Sequence, residues 1–250
     1  MNSRQARIRD FCSERNIRFL LHFTRVSNVP SILKDGLRDR LSLEESRSAF
    51  VFNDKERLDC CNNAVCMSIS FPNYRMFCSL RNELPRGTFA VLVLKAEVLW
   101  TYKCAFCIDN ASSKLVGNIS EEKFDVECLM SMFGDHPKNK RADLNIPSYF
   151  TTCPQAEVLV FPKIFLTDHS SQGCIHPTFI SEIHVDDYTS ANSIRQAWAD
   201  PLKRNIIVNS QYFGPREDWK HWQKLNSQEY DPFADEFDPF ADEFDPFADE

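Results

Sequence analysis

Glu157 opens an apolar run, Glu157-Val158-Leu159-Val160-Phe161, and its setting demands an explanation. A carboxylate at the start of a buried strand is costly unless it is paired or put to use. The plainer reading is a strand-edge glutamate facing solvent. Gln155, two positions earlier, falls on the same face if the strand already runs there, because strand side chains alternate. His22 ends the apolar stretch Arg18-Phe19-Leu20-Leu21-His22-Phe23, and Thr24 shares its strand face. A single histidine on such a strand is by itself more often a satisfied core or edge residue than a ligand contact. Arg57 follows a short Asn53-Asp54 turn; base rates favour a surface arginine there, and Arg75 competes with it for any role as a site cation. Phe71 and Tyr74 offer ring faces on which a planar ligand can stack, worth on the order of 1 kcal/mol, whereas Met76 and Phe77 read as core. Between residues 134 and 154 lie Lys138, Lys140, Arg141, Tyr149 and Phe150. Cations meet phosphates and aromatics stack on unpaired bases; the competing reading is an ordinary solvated loop.

The elements that must position these residues follow from periodicity. Ile8, Phe11 and Cys12 recur at helical spacing over Arg4–Arg15. Residues 18–23 read as a buried strand. A helix starts at Ser27-Asn28-Val29-Pro30, capped by Ser or Asn with Pro in its first turn, and Gly36 is its expected stop. Further strands are expected over Ala64–Ser70, Thr88–Leu94, Glu157–Phe161, Thr178–Val185 and Asn205–Asn209, and helices over Asn73–Leu80, Glu121–Phe133 and Ser190–Trp198. Residues 134–154 lack hydrophobic periodicity and form a long loop, a length uncommon inside a compact domain unless functional. Strands do not alternate regularly with helices, so the class is α+β rather than a doubly wound sheet. No G-x-G-x-x-G or Walker sequence occurs, so a nucleotide must be held without those phosphate cradles.

Composition sets the frame. The 250 residues are 43% hydrophobic, with no apolar stretch of bilayer length and no apolar run behind the basic N-terminus, so a cytoplasmic location is expected. The net charge of −7 is uneven. Ten of the acidic residues and no basic one lie in 229–250, which leaves 26 acidic against 29 basic before them, a mildly basic body. Ten scattered cysteines, several inside apolar runs, read as buried reduced thiols. The single C-x-x-C, Cys104 and Cys107, lacks the second ligand pair of a structural zinc site, and no metal is expected. Residues 231–250 repeat Asp-Pro-Phe-Ala-Asp-Glu-Phe. Proline in every unit excludes a continuous helix, and the acidic, low-complexity composition predicts disorder in isolation. The expected division is a domain over 1–223 and an acidic tail over 224–250. The tail reads either as a solubilising repeat expansion or as a segment that docks its phenylalanines into a basic, apolar groove.

Four stretches occur in order: Leu21-His22-Phe23-Thr24; Asn53-Asp54-Lys55-Glu56-Arg57; Ser68 to Phe77; and Asn139 to Pro147 leading into Pro154-Gln155-Ala156-Glu157-Val158-Leu159-Val160. Together they resemble the DarT family of DNA ADP-ribosyltransferase toxins over roughly residues 15–210. The resemblance implies an ADP-ribosyltransferase-like (PARP-like) fold, with mixed central sheets and flanking helices, that uses NAD as co-substrate. It casts Glu157 as the transferase glutamate, hydrogen-bonding the ribose 2′-OH and stabilising charge at the anomeric carbon. It casts His22 as a contact to the NAD ribose supported by Thr24, and Arg57 as a cation near the NAD phosphate or the acceptor base. Phe71 or Tyr74 would stack on nicotinamide. Gln155, Lys138, Lys140, Arg141 and Tyr149 would hold the acceptor, single-stranded DNA. A macrodomain antitoxin that removes the modification is the implied partner. Transfer to RNA or protein, and an inactive NAD- or nucleic-acid-binding module, are the alternatives. The sequence leaves open whether thymine or guanine is modified.

Overall fold

The chain's strands come together into one seven-stranded sheet of order β5-β6-β3-β1-β4-β8-β9. It is seen in a computed structural model that describes residues 3–53, 57–135, 152–165, 173–216 and 218. The strands are β1 Phe19–Arg25, β3 Val65–Ile69, β4 Phe89–Lys95, β5 Tyr102–Cys107, β6 Glu157–Phe165, β8 Ile180–Val185 and β9 Asn205–Val208. A two-stranded ribbon pairs β2 Leu37–Arg38 with β7 Cys174–Ile175. Every join in the large sheet is antiparallel except β8 with β9. The α+β expectation, with mixed sheet and flanking helices, holds. No helix among the described residues is long and apolar enough to cross a membrane.

The feature that shapes the site is a parting between β1 and β3. β1 pairs with β4 along its whole length, from Phe19↔Lys95 to Arg25↔Phe89. With β3 it forms only two pairs, Leu20↔Ile69 and Leu21↔Ser68. Beyond them the sheet divides into a β9-β8-β4-β1 half and a β3-β6-β5 half. His22 is the first β1 residue past the last pair.

Helices cover both faces. Helix α1 (Ser3–Glu14) buries Gln5, Ile8 and Cys12, spaced three and four apart, so that one stripe meets the core. Helix α2 spans Val29–Asp35 and ends at Gly36, whose φ of 88° suits glycine. A Cβ there would sit 2.7 Å from Cys174 Sγ and 2.8 Å from the Ile175 carbonyl oxygen. Asn28 stands at the N-cap position of α2, yet its side chain does not cap the helix. It donates to Thr24 Oγ1 (3.2 Å) and the Val51 carbonyl (2.9 Å), and it accepts from the Val51 amide (3.0 Å), tying residues 51–53 to β1. Short helices α3 (Arg40–Glu45) and α5 (Val98–Thr101) connect strands. Helix α4 (Tyr74–Glu83) and helix α7 (Tyr188–Ala197) match expected helices within a few residues.

Three expectations need correction. The helix expected over Glu121–Phe133 is a 3-10 turn, Glu121–Phe124, followed by α6, Val126–Ser131. Asp125 between them is extended (φ −88°, ψ 157°), and Arg4 both donates to the Phe124 carbonyl and pairs with Asp125 at 3.0 Å. The ion pair and hydrogen bond to α1 hold the break. Strand β5, Tyr102–Cys107, is the second correction: the sequence shows its cysteines and not a strand. Being three apart on that strand, Cys104 and Cys107 lie on opposite faces. They belong to different core clusters, so they cannot close on one ion. The strand expected from Thr178 begins instead at Ile180, after a 3-10 turn over Pro177–Phe179.

Candidate active site

Glu157 is the first residue of β6 and only 5% exposed. Its Oε1 accepts from Asn73 Nδ2 at 2.9 Å and from Asn110 Nδ2 at 3.3 Å, and its Oε2 accepts from the Ala111 amide at 2.9 Å. These donors orient the carboxyl group and partly compensate for lost water. Burial pushes its pKa up from 4.5 to about 7, against the downward pull of the Ala111 amide and Asn73. Asp59 adds to the rise, and Arg57 opposes it. The group therefore changes charge near neutral pH. Asn73 itself caps α4, its Oδ1 facing the Met76 amide, so the helix start fixes the carboxamide that holds Glu157.

His22 lies where β1 leaves β3, and its Nδ1 is 2.8 Å from the Cys66 carbonyl oxygen. A carbonyl only accepts, so Nδ1 carries the proton. Burial lowers the His22 pKa, and the Arg57 charge lowers it further although the Cys66 bond opposes this. The ring is thus neutral, with an Nε2 lone pair free to accept from a hydroxyl. Thr24, on the same strand face, is buried, and its Oγ1 accepts from Asn28 rather than bracing the histidine.

Arg57 has a more structural setting than its sequence suggests. Its Nε and Nη2 grip Asp59 at 2.9 and 2.8 Å. Its Nη2 also donates to the Cys61 carbonyl (2.6 Å) and its Nη1 to the Ala64 carbonyl (3.1 Å). Four of its five N–H groups are engaged among the described residues. Burial disfavours the charge, but Cys66, Asp59 and Glu157 outweigh it and raise the pKa, so the guanidinium stays positive. It pins the turn that leads into β3 and places a fixed cation whose charge is felt by both His22 and Glu157. Asn53, at the other side of the same connection, donates to the Phe23 carbonyl at 2.8 Å.

Phe71 is half-buried, its ring meeting Tyr74 at 6.4 Å and Tyr212 at 6.0 Å. Tyr74 is buried, and its amide donates to the Pro154 carbonyl at 3.0 Å, which joins α4 to the segment entering β6. Gln155 is half-buried in a turn, and the strand begins only at Glu157, so alternation does not fix its direction. Lys138, Lys140, Arg141 and Tyr149 lie outside the described residues, as does the tail. The structure thus gathers His22, Arg57 and Glu157 around one parting of the sheet and adds Asn73, Asn110 and the Ala111 amide. Asn73 had a visible signal, a helix-capping residue after Phe71-Pro72. Asn110 and Ala111 follow β5, and the register Cys107↔Glu157 that brings them near is invisible until that strand is known.

Residues 21–214 match the family described as ssDNA thymidine ADP-ribosyltransferase, DarT. No curated protein matches significantly. Among solved structures, the fold is similar to a Thermosipho africanus DarTG determined with ADP-ribose, at 20% identity and a TM-score of 0.52. The match covers 78% of this chain and 51% of that one, so this chain spans about half the length of that relative. A Thermus sp. 2.9 DarT determined with NAD+ is similar at 13% identity and a TM-score of 0.47, covering 78% of this chain and 96% of that one. The same Thermus protein with ADP-ribosylated ssDNA gives 13% identity and a TM-score of 0.46, covering 79% and 96%. Because the matched span takes in His22, Arg57, Asn73 and Glu157 and most of the sheet that positions them, the chain belongs to the DarT family.

Proposed function

We propose that the protein transfers ADP-ribose from NAD to thymine in single-stranded DNA, with Glu157 as the catalytic carboxylate. The observation that carries this reading is a buried, triply hydrogen-bonded carboxylate that shares the field of Arg57 with His22, in a chain of the DarT family. In the reaction the bond from the ribose anomeric carbon to nicotinamide breaks, and nicotinamide leaves with the electron pair. The ionised Glu157 accepts a hydrogen bond from the ribose 2′-OH and stabilises the positive charge left on the sugar. Nε2 of His22 accepts from another ribose hydroxyl. The acceptor is N3 of thymine, the one ring nitrogen of thymidine that bears a hydrogen. It forms the new bond and releases its proton, and the Arg57 charge eases that loss. Phe71, half-exposed at the edge of α4, offers the stacking face for nicotinamide, with Tyr74 behind it.

Gln155, Lys138, Lys140, Arg141 and Tyr149 are assigned to the DNA strand. NAD is a co-substrate and the chemistry calls for no metal. A macrodomain hydrolase that removes the ADP-ribose is the expected partner, and the cytoplasm, where NAD and single-stranded DNA meet, is the expected location. The domain is taken to run over 1–223 and the acidic tail over 224–250. Mass spectrometry of thymine-containing and thymine-free oligonucleotides after incubation with NAD tests the proposal. The expected result is one added ADP-ribose on thymine-containing strands only, absent with Glu157→Ala. NAD consumption without added mass on DNA would redirect the activity to RNA or protein, and intact NAD would reduce the protein to a binding module.

A further inference from the structure

The C-terminal end of the described chain, residues 210–216 and 218, packs on helix α4, whose cap Asn73 holds the Glu157 carboxyl group, and on the segment that enters β6. Tyr212 and Phe213 are buried, Tyr212 edge-on to Phe71 at 6.0 Å and Phe213 tilted on Phe77 at 5.6 Å. Arg81 of α4 donates to the Phe213 carbonyl. Farther on, Arg216 and Asp218 form an ion pair in which the residues are 4% and 3% exposed. Arg216 Nε and Nη2 reach the two carboxylate oxygens of Asp218, and Nη2 also donates to the Thr152 carbonyl at 2.7 Å. Thr152 is itself buried and lies five residues before Glu157. A single turn, closed by the Ala156 amide on the Cys153 carbonyl, separates the two, and the Tyr74 amide grips Pro154 inside that turn.

A buried ion pair is weak grounds for stability, because an apolar pair of similar size often folds as well. What it provides is geometry. The planar fork of an arginine held by a carboxylate aims its remaining donors in fixed directions, which a lysine cannot do. We propose that Arg216, locked by Asp218, is a positioning residue for transfer to DNA: it fixes Thr152, the entry to the single turn that leads into the strand presenting Glu157. Arg216 lies beyond the span matched to the family, residues 21–214, and acts through the Thr152 carbonyl. The inference rests on the DNA-transfer reading above.

The test is steady-state kinetics on a thymine-containing oligonucleotide with the full chain, comparing wild type, the double variant Arg216→Met/Asp218→Leu, and Arg216→Lys. The double variant removes the fork but leaves the site apolar, so its melting temperature stays within about 5 °C of wild type. Both variants are expected to lose tenfold or more in kcat, with KM for NAD changed by less than twofold. Turnover within twofold of wild type in either folded variant overturns the proposal. So does failure of both variants to fold, which would assign the pair to stability alone. If the wild type modifies no oligonucleotide, the DNA-transfer reading fails and the positioning role with it. An active wild type with unaffected variants removes the positioning role only.

Discussion

Glu157 combines two demands that conflict, burial and charge, and its chemistry follows from how they are balanced. Because its folded pKa is raised to about 7 from 4.5, the folded chain holds a proton that the unfolded chain has already lost between those values. Stability from this group is therefore full below about pH 4.5 and falls as pH rises to about 7, by on the order of a few kcal/mol. On the proposed role of Glu157 as the catalytic carboxylate, which requires the ionised form, activity runs the other way: DNA modification should rise through pH 7 and level off above it. Glu157→Gln should abolish transfer, and in thermal melts across pH 4.5–7.5 it should flatten the decline that wild type shows. A decline of unchanged steepness would mean that another group titrates. Asn73→Ala removes one donor to the carboxylate and the cap of α4 together. It should cost about 1–3 kcal/mol in denaturant unfolding. It should also move the rise in activity to higher pH, because the remaining carboxylate is less well compensated; an unmoved pH profile would leave Asn73 with the capping role alone.

At the scale of elements, the site exists because β1 and β3 separate after two pairs. The separation is held from both sides. The His22 ring takes the Cys66 carbonyl past the last pair, while Arg57 grips Asp59, Cys61 and Ala64 in the turn just before β3. His22→Ala should thus weaken NAD use without unfolding the chain, seen as a raised KM with a melting temperature near that of wild type. Elsewhere in the fold, Gly36 joins α2 to β2 against the ribbon strand β7. Gly36→Ala requires a left-handed residue with its Cβ against Cys174 and backbone of Ile175. The expected loss exceeds about 1 kcal/mol in chemical denaturation, more than the φ penalty of an open turn. A neutral substitution would show that the β2–β7 ribbon shifts freely.

For the whole molecule, the division into domain and tail has a direct consequence. The last described residue, Asp218, is buried against the body, whereas the repeats after residue 230 are acidic and punctuated by proline. A chain ended at residue 223 should melt within about 2 °C of the full chain, since the described core residues all precede that point and an acidic, proline-punctuated repeat buries little apolar surface. A large drop would show that the tail packs on the domain. The same truncation separates the two readings of the repeats: unchanged DNA affinity dismisses a tail that competes with DNA in cis.

The sequence by itself determined the class and most of the strands, because alternation and apolar runs report burial directly. β1, β3, β4, β6, β8 and β9 are readable in this way, as are α1, α2, α4 and α7. It also singled out Glu157, since a carboxylate at the start of an apolar strand is anomalous without any knowledge of the fold, whereas His22 and Arg57 stood out only through the resemblance to the family. β5 was not legible as a strand, because in Tyr102–Cys107 the cysteines masked a run buried on both faces. The break at Asp125 was hidden as well, since Arg4, which holds it, lies 121 residues away. Tertiary structure alone decided what surrounds the carboxylate. The amide of Ala111 has no side-chain signature, and Asn73 and Asn110 meet Glu157 across 84 and 47 residues of chain. A local pattern can flag a group that is expensive to bury, but only the register of distant strands determines which donors compensate it.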